Sequence, residues 1–491
     1  MAERDAKTDP STPSLAHHAL SSKWARIRTI LDGADAIKAA GKRYLPKFPG
    51  EEEDEYSRRL ESAPWRPEYE DALEAIVAKP FAKEVMLAGE PSDEVKAFAE
   101  DVDGLGNNLN VFARSVFSGG VGFGSKGILV ESPPMPSLAR TRAEERAAGA
   151  RPYWVQIDAE NVLEVRTERR GDRRAVVYLR FMEFDVTSDG FEQSAVRKIR
   201  EIKAPGDDNG AGLDMAPGTW RVWHEAANAS GKTEWTTEAE GIFTLPEVPF
   251  VLFVTGDLKG DQYVRPPLDN LAAMQIHIYR TESSEDEIYI AAGAPMLTAN
   301  GMAPPGDNSS VQVGPHRVLY APGAEGITPN WAYLQPAAEN LKAITARVEG
   351  LVSAFRRLAL QPLLPRTGNV TATATGVDAA KAHSRVQQWA LQLKDALEQA
   401  FVFTAMWQGT NEADSAEVMV HTDFAVGVYG EAEINALLQA RIDGQISQET
   451  FWDEMQRRDV LGPQFDKDAE RERLEKEAPS FNTLLQDDPP A

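Results

Sequence analysis

Apolar residues recur three and four apart through much of 21–115. Trp24, Ile27, Ile30 and Leu31 share one helical face, and Ala72, Leu73, Ile76 and Val77 share another. This predicts a mostly helical N-terminal region. It is interrupted by GKRYLPKFPGEEEDEY at 41–56, which is too rich in proline, glycine and charge for a helix. Between 153 and 253 the pattern changes to short apolar runs at 162–165, 175–181, 219–223 and 250–254. The turn signals RRGDRR and APGDDNGAG separate them, as expected of hairpins. Helical spacing returns after Pro266 and Pro267 with Leu268, Leu271, Met274 and Ile278, until TESSEDE at 281–287 interrupts the stripe. The most regular seam follows at Leu341, Ile344, Val348, Leu351, Phe355 and Leu358. It continues for more than two heptads and predicts a helix of about 25 residues, roughly 37 Å long. LQPLLPRTGNVTATATGV at 360–377 breaks it, before a further long helix with Val386, Trp389, Leu393, Leu397 and Phe401. Shorter helices are expected near 434–441, 450–458 and 467–477, and no internal repeat is present.

One stretch raises a chemical question. SGGVGFGSKG at 118–127 concentrates glycines ahead of a lysine, as phosphate-binding loops do. A P-loop requires G-x-x-x-x-G-K-[ST] between a strand and a helix, because the helix N-terminus supplies the amides that hold the phosphates. Here Ser125 separates Gly124 from Lys126, Gly127 stands where the metal-binding hydroxyl belongs, and Ile128-Leu129-Val130 with two prolines follows. The expectation is a glycine turn feeding a buried strand, with no nucleotide bound.

At 491 residues several domains are expected. The 42% hydrophobic and 26% charged content is that of a globular chain. No apolar run reaches membrane-spanning length. Residues 1–21 read as a disordered tail without a secretion signal. The absence of cysteine excludes disulfides and thiolate chemistry. A net charge of −24 argues against a chain that grips DNA, since such binding depends on neutralising phosphates with Lys and Arg. The arginines at 166, 169, 170, 173 and 174 fit a solvated hairpin tip better than a partner contact.

No catalytic constellation is visible. The seven histidines, at 17, 18, 224, 277, 316, 383 and 421, form no zinc-type pair, and there is no G-x-S-x-G elbow. Glu282, Glu285, Asp286 and Glu287 read as a solvated acidic helix face. No enzymatic activity, cofactor or metal is therefore expected.

The order of segments resembles the portal proteins of tailed bacteriophages. The resemblance is carried by Trp24, Leu31-Asp32-Gly33, Tyr44-Leu45-Pro46 and Tyr56-Ser57-Arg58-Arg59, then by 127–131, Pro266-Pro267-Leu268-Asp269-Asn270-Leu271-Ala272 and Thr371-Ala372-Thr373. It ends with the run from 437 to 451. It spans roughly 22–475 and departs at Gln275, where asparagine is expected. Each motif is weak alone, and the collinear order is the specific signal.

The resemblance implies an α+β, portal-like fold with a helical stem and crown, a mixed α/β wing and a small clip. It maps the wing to 22–265, stem helices to 266–291 and 336–360, the clip to 292–335, a tunnel loop and wing helix to 361–425, and the crown and tail to 426–491. It also implies a ring, usually of twelve copies, at one capsid vertex of the virion, assembled in the host cytoplasm. That ring passes double-stranded DNA without sequence specificity during packaging and ejection, and contacts terminase, the major capsid protein and a head-tail adaptor, with no membrane. Twelve such chains carry roughly 290 negative charges, which keeps a polyanion from sticking to its conduit. Arg366, Thr367, Asn369, Thr371 and Thr373 are the expected channel-lining residues. Leu341, Ile344, Val348, Leu351 and Phe355 are expected at the subunit interface. The alternatives are a passive virion adaptor or scaffold without a channel, and an NTP-driven packaging motor, for which the P-loop is missing.

Overall fold

The computed structural model describes residues 9–133, 151–206, 217–227, 233–293, 296–302, 318–321, 328–334, 338–359, 372–409, 416–422, 424, 431–457, 460–461 and 465–477. The chain is mixed α+β and divides into two compact units, Met1–Phe424 and Ala425–Ala491.

The first unit opens with α1 (Leu15–Leu31), α2 (Gly33–Ala40), α3 (Glu53–Ser62), α4 (Glu68–Val77), α5 (Asp93–Ala99) and α6 (Leu109–Phe123). The tail is shorter than the sequence pattern suggests. Ser14 caps α1 by accepting from the His17 amide, and Leu20, Trp24, Ile27 and Ile30 bury one face of the helix. His17 and His18, expected in the tail, lie in this helix, where His17 Nε2 is 2.8 Å from the Glu160 carbonyl. Residues 53–56, expected outside any helix, form the first turn of α3, because Glu52 and Glu55 make a reciprocal capping box.

The glycine stretch is also more helical than expected. Gly119, Gly120 and Gly122 belong to α6, and only Gly124, at φ +94°, makes the left-handed turn that ends it. The reason is close packing: a Cβ on Gly120 would sit 2.2 Å from the Phe253 ring. The turn leads into β2 (Ser125–Glu131), the central strand of an antiparallel sheet with β3 (Tyr153–Asp158) and β9 (Phe250–Val254). Lys126 forms an ion pair with Asp158 across this sheet.

A second antiparallel sheet is a meander of β4 (Val162–Arg170), β5 (Arg173–Asp189), β6 (Glu192–Lys203), β7 (Gly218–Ala227) and β8 (Thr233–Phe243). The arginines of its first hairpin are engaged within the chain. Arg170 reaches the Pro205 and Pro246 carbonyls, Arg173 pairs with Glu247, Arg174 with Asp261, and Arg166 lies over the Tyr178 ring.

Next come α7 (Asp269–Gly293), a three-stranded sheet of β10 (Met296–Asn300), β11 (Val318–Ala321) and β12 (Asn330–Leu334), and α8 (Ala338–Leu358). TESSEDE does not interrupt α7, because its serines and carboxylates find helical neighbours and partners on α3 and α4's leading segment. Helix α9 (Ala372–Gln408) starts earlier than expected, inside the 360–377 stretch read as a break between helices. The last proline before it is Pro365, and a single helical glycine, Gly376, costs only about 1 kcal/mol. Val386, Trp389, Leu393, Leu397 and Phe401 of α9 are buried in the main core, and the helix packs on β2 and β9. The short strands β1 (Met86–Leu87) and β13 (Val418–Met419) pair antiparallel nearby in the same unit.

The second unit contains α10 (Glu431–Ile442), α11 (Gln448–Arg457) and α12 (Lys467–Glu477). Its small core includes Trp452 and Met455, with the Trp452 ring edge-on to Phe465.

Candidate functional site

The long helices α7 and α8 are paired, and their partners show how they run. Tyr289, late in α7, meets Thr345 in the first half of α8, and Thr345 in turn donates to Glu285 at 2.8 Å. At the other end, Gln275 of α7 and Arg356 of α8 both contact the segment 66–69. The two helices are therefore antiparallel, with the β10–β12 sheet connecting their far ends.

A set of polar contacts, several of them buried, fastens this pair to the N-terminal helices. Asp269, in the first turn of α7, pairs with Arg26 of α1 and with Arg265, where a carboxylate also complements the helix dipole. The side-chain amide of Gln275, fully buried, donates to the Arg66 carbonyl at 2.6 Å and accepts from the Tyr69 amide at 3.2 Å. Both ends of this amide are therefore used in bridging α7 to the segment that leads into α4. Arg280 Nε donates to the Tyr44 carbonyl at 2.6 Å. Arg356 of α8 grips both carboxylate oxygens of buried Glu68 at 2.7 and 2.8 Å. That bond raises the Arg356 pKa further.

Arg59 is the centre of this arrangement. It donates to Glu51, to the Pro46 carbonyl at 2.9 Å and to Ser283 Oγ of α7 at 3.3 Å, while its guanidinium lies over the Phe48 ring. The sequence pattern Tyr44-Leu45-Pro46 followed by Tyr56-Ser57-Arg58-Arg59 is thereby given a physical basis, since its arginine closes the loop that its proline begins.

Glu282 corrects the expectation of a solvated acidic face. It is 3% exposed, Arg66 Nε lies 2.5 Å from its Oε1, and neither oxygen accepts a well-aligned hydrogen bond. Burial pushes its carboxyl above the usual range, and the nearby charges of Glu285, Asp286 and Glu68 add to this against the opposing pull of Arg66.

The residues expected at a subunit interface divide in the structure. Val348 and Phe355 are buried in the chain's own core, so they are not free to face a neighbour. The reason is that α7 and α4 already cover that side of α8. Leu351 is half-buried against the same core, Ile344 is half-buried, and the side chain of Leu341 lies outside the described residues. Leu358 keeps an exposed apolar surface. Of the expected channel residues, Arg366, Thr367, Asn369 and Thr371 lie outside the described residues. Thr373 falls in the first turn of α9 and not in a loop, with its side chain outside the description.

The buried partners Arg59, Glu51, Gln275, Glu282 and the Glu68–Arg356 pair were not singled out as site residues from sequence. Among the described residues no group of His, Cys, Asp or Glu is arranged to hold a metal ion, and no helix is long and apolar enough to cross a membrane.

A family model described as a domain of unknown function (DUF4055) matches residues 267–408, which take in α7, the three-stranded sheet, α8 and α9. No curated protein matches the chain. Among solved structures, the chain is similar to one from a "Virion of native gene transfer agent (GTA) particle", at 11% identity and a TM-score of 0.37. That similarity covers 86% of this chain and 97% of the other.

Proposed function

We propose that the chain is a portal subunit. In this reading about twelve copies form a ring at the capsid vertex of a virion, and DNA passes through the ring during packaging and ejection. Terminase docks during packaging, and a head-tail adaptor docks later. The observation that carries the reading is the antiparallel pair α7 and α8, which leaves the N-terminal helices, is connected at its far end by a small sheet, and returns to them. Such a projection fastened by buried ion pairs suits a stem with a clip, the arrangement that the sequence resemblance implies.

The chemistry of the chain supports a conduit rather than a motor. Lys126 is engaged by Asp158, and the glycines before it serve helix-to-strand packing, so this stretch offers no phosphate cradle. The net charge of −24 favours sliding over binding. Arg366, Thr367, Asn369, Thr371 and Thr373 are proposed to line the bore, where Arg366 gives a weak, salt-screened contact to passing phosphates.

Electron microscopy of the purified protein tests the ring. A closed ring with a central hole is expected, and a monomer or an open filament would overturn the reading. Deleting residues 367–371 is then expected to leave rings intact while lowering the amount of DNA packaged or retained. Normal packaging would remove this segment from the bore.

A further inference from the structure

Strands β5 and β6 continue well beyond their sheet. Pairing of β5 with β4 ends at Phe181, and β7 pairs with β6 only from Lys198 to Lys203. From Phe184↔Arg197 to Asp189↔Glu192 the two strands therefore pair only with each other. A two-stranded ribbon in water is marginally stable by itself. This one also exposes Phe184 and Val186, and its turn holds Phe191 at 109% exposure. Asp189 and Glu192 flank that phenyl ring, and residues 184–196 include three acidic residues and no Lys or Arg.

Elsewhere in the same unit, the start of α1 borders a cavity of about 550 Å³ lined by Pro13, Leu15, Val165, Arg180 and Lys259, among others. It is open to solvent over much of its rim, and a volume within the range of roughly 300–1,000 Å³ typical of small-group pockets leaves room for a phenyl ring. Leu15 at its mouth is 91% exposed. Its lining carries two cations, Arg180 and Lys259, and two carboxylates, Glu164 and Asp261; Arg180 pairs with Glu164, Arg174 beside the cavity pairs with Asp261, and Lys259 is exposed.

We propose that the tip of the β5–β6 ribbon docks into this cavity on a second copy of the chain, with Phe191 as the apolar anchor and Asp189 and Glu192 facing the exposed ammonium of Lys259. The ribbon cannot serve its own cavity. Arg180, which lines the cavity, lies eleven positions before Phe191 on the same extended segment, a separation of roughly 35 Å. A contact between a knob and a different patch on the next copy is head-to-tail, the type that closes into rings. The proposal rests on the ring reading for the presence of a neighbour and assigns one contact within it.

The chain is free of cysteine, which makes disulfide trapping clean. Gln193→Cys, which leaves Phe191 in place beside it, and Leu15→Cys are made in separate, differently tagged chains, which are co-expressed and mildly oxidised. Sedimentation velocity on the unoxidised sample reports assembly. A cross-linked dimer containing both tags, absent from either variant alone, is the expected result. Lys259→Glu in the Leu15→Cys chain is expected to lower the cross-linked yield, and Glu192→Lys in the other chain to restore it. Assembled protein without the mixed cross-link overturns the contact and leaves the ring reading standing. Protein that does not assemble overturns both.

Discussion

Arg59, 2% exposed, donates to both carboxylate oxygens of Glu51, from Nε at 2.7 Å and from Nη2 at 2.9 Å. The same guanidinium reaches the Pro46 carbonyl and Ser283 of α7, so one side chain joins α3, the loop before it and the long helix pair. Its hydrogen bonds hold the Glu51 carboxyl below the usual range.

Removal of Arg59 leaves a largely buried carboxylate without its partner, and loss of one member of such a pair costs about 3–5 kcal/mol. Arg59→Ala is expected to destabilise the chain by that order in urea unfolding. Arg59→Lys is expected to recover only part of the loss, since an ammonium cannot reproduce the two-pronged contact. The folded-state pKa of Glu51 is depressed, so its contribution is present above the ordinary glutamate value and is lost as pH falls through the lowered one. Unfolding midpoints measured down the acid range should fall less steeply in Arg59→Ala than in the parent.

Glu282 has the opposite sign. Its folded-state pKa is raised, so its contribution is full below the ordinary glutamate value and is lost as pH rises through the raised one. Glu282→Gln is therefore expected to raise the thermal midpoint at pH 7. Arg66 is half exposed, so the ion pair given up is screened by solvent. The advantage should disappear below the ordinary glutamate range. A variant less stable than the parent at pH 7 would show that the Arg66 contact outweighs the burial.

Two positions on α8 separate folding from assembly. Phe355 is fully buried in the chain's own core, and Phe355→Ala is expected to cost about 3–5 kcal/mol of stability. Leu358 is exposed, and Leu358→Asp is expected to leave the circular dichroism spectrum and the unfolding midpoint unchanged while shifting sedimentation toward smaller species. An unchanged sedimentation profile would place the subunit contact elsewhere on the helix.

The turn into β2 makes a prediction about chemistry as well as stability. Gly120→Ala would bring a methyl group against the Phe253 ring and is expected to cost about 1–3 kcal/mol through overpacking. Lys126→Ala removes a partly screened ion pair with Asp158 and is expected to leave assembly intact. Calorimetric titration with ATP should show no saturable binding in either the parent or the lysine variant. Binding that disappears with Lys126 would restore the phosphate-loop reading.

Periodicity by itself determined the long helices and the strand-rich middle, because a stripe of Leu, Ile and Val at helical spacing, or short runs between turn residues, satisfies backbone and burial in few ways. The faces of α1, α4 and α9 were legible for that reason: Trp24, Ile76 and Leu393 lie in the core as their spacing requires. The absence of cysteine and the acidic charge were likewise complete in the sequence. Tertiary structure decided which polar residues are buried and what each seam faces. Glu282 and Glu285 are three apart in one acidic run, yet only Glu282 is enclosed beside Arg66, because burial depends on the neighbouring helix and not on local composition. Val348 and Phe355 look alike in a heptad whether they meet a neighbouring subunit or their own chain, and α7 occupies that side first. The glycines at 119–124 likewise signal only that side chains are excluded, and it is the Phe253 ring on β9, more than a hundred residues away in sequence, that excludes a Cβ at Gly120.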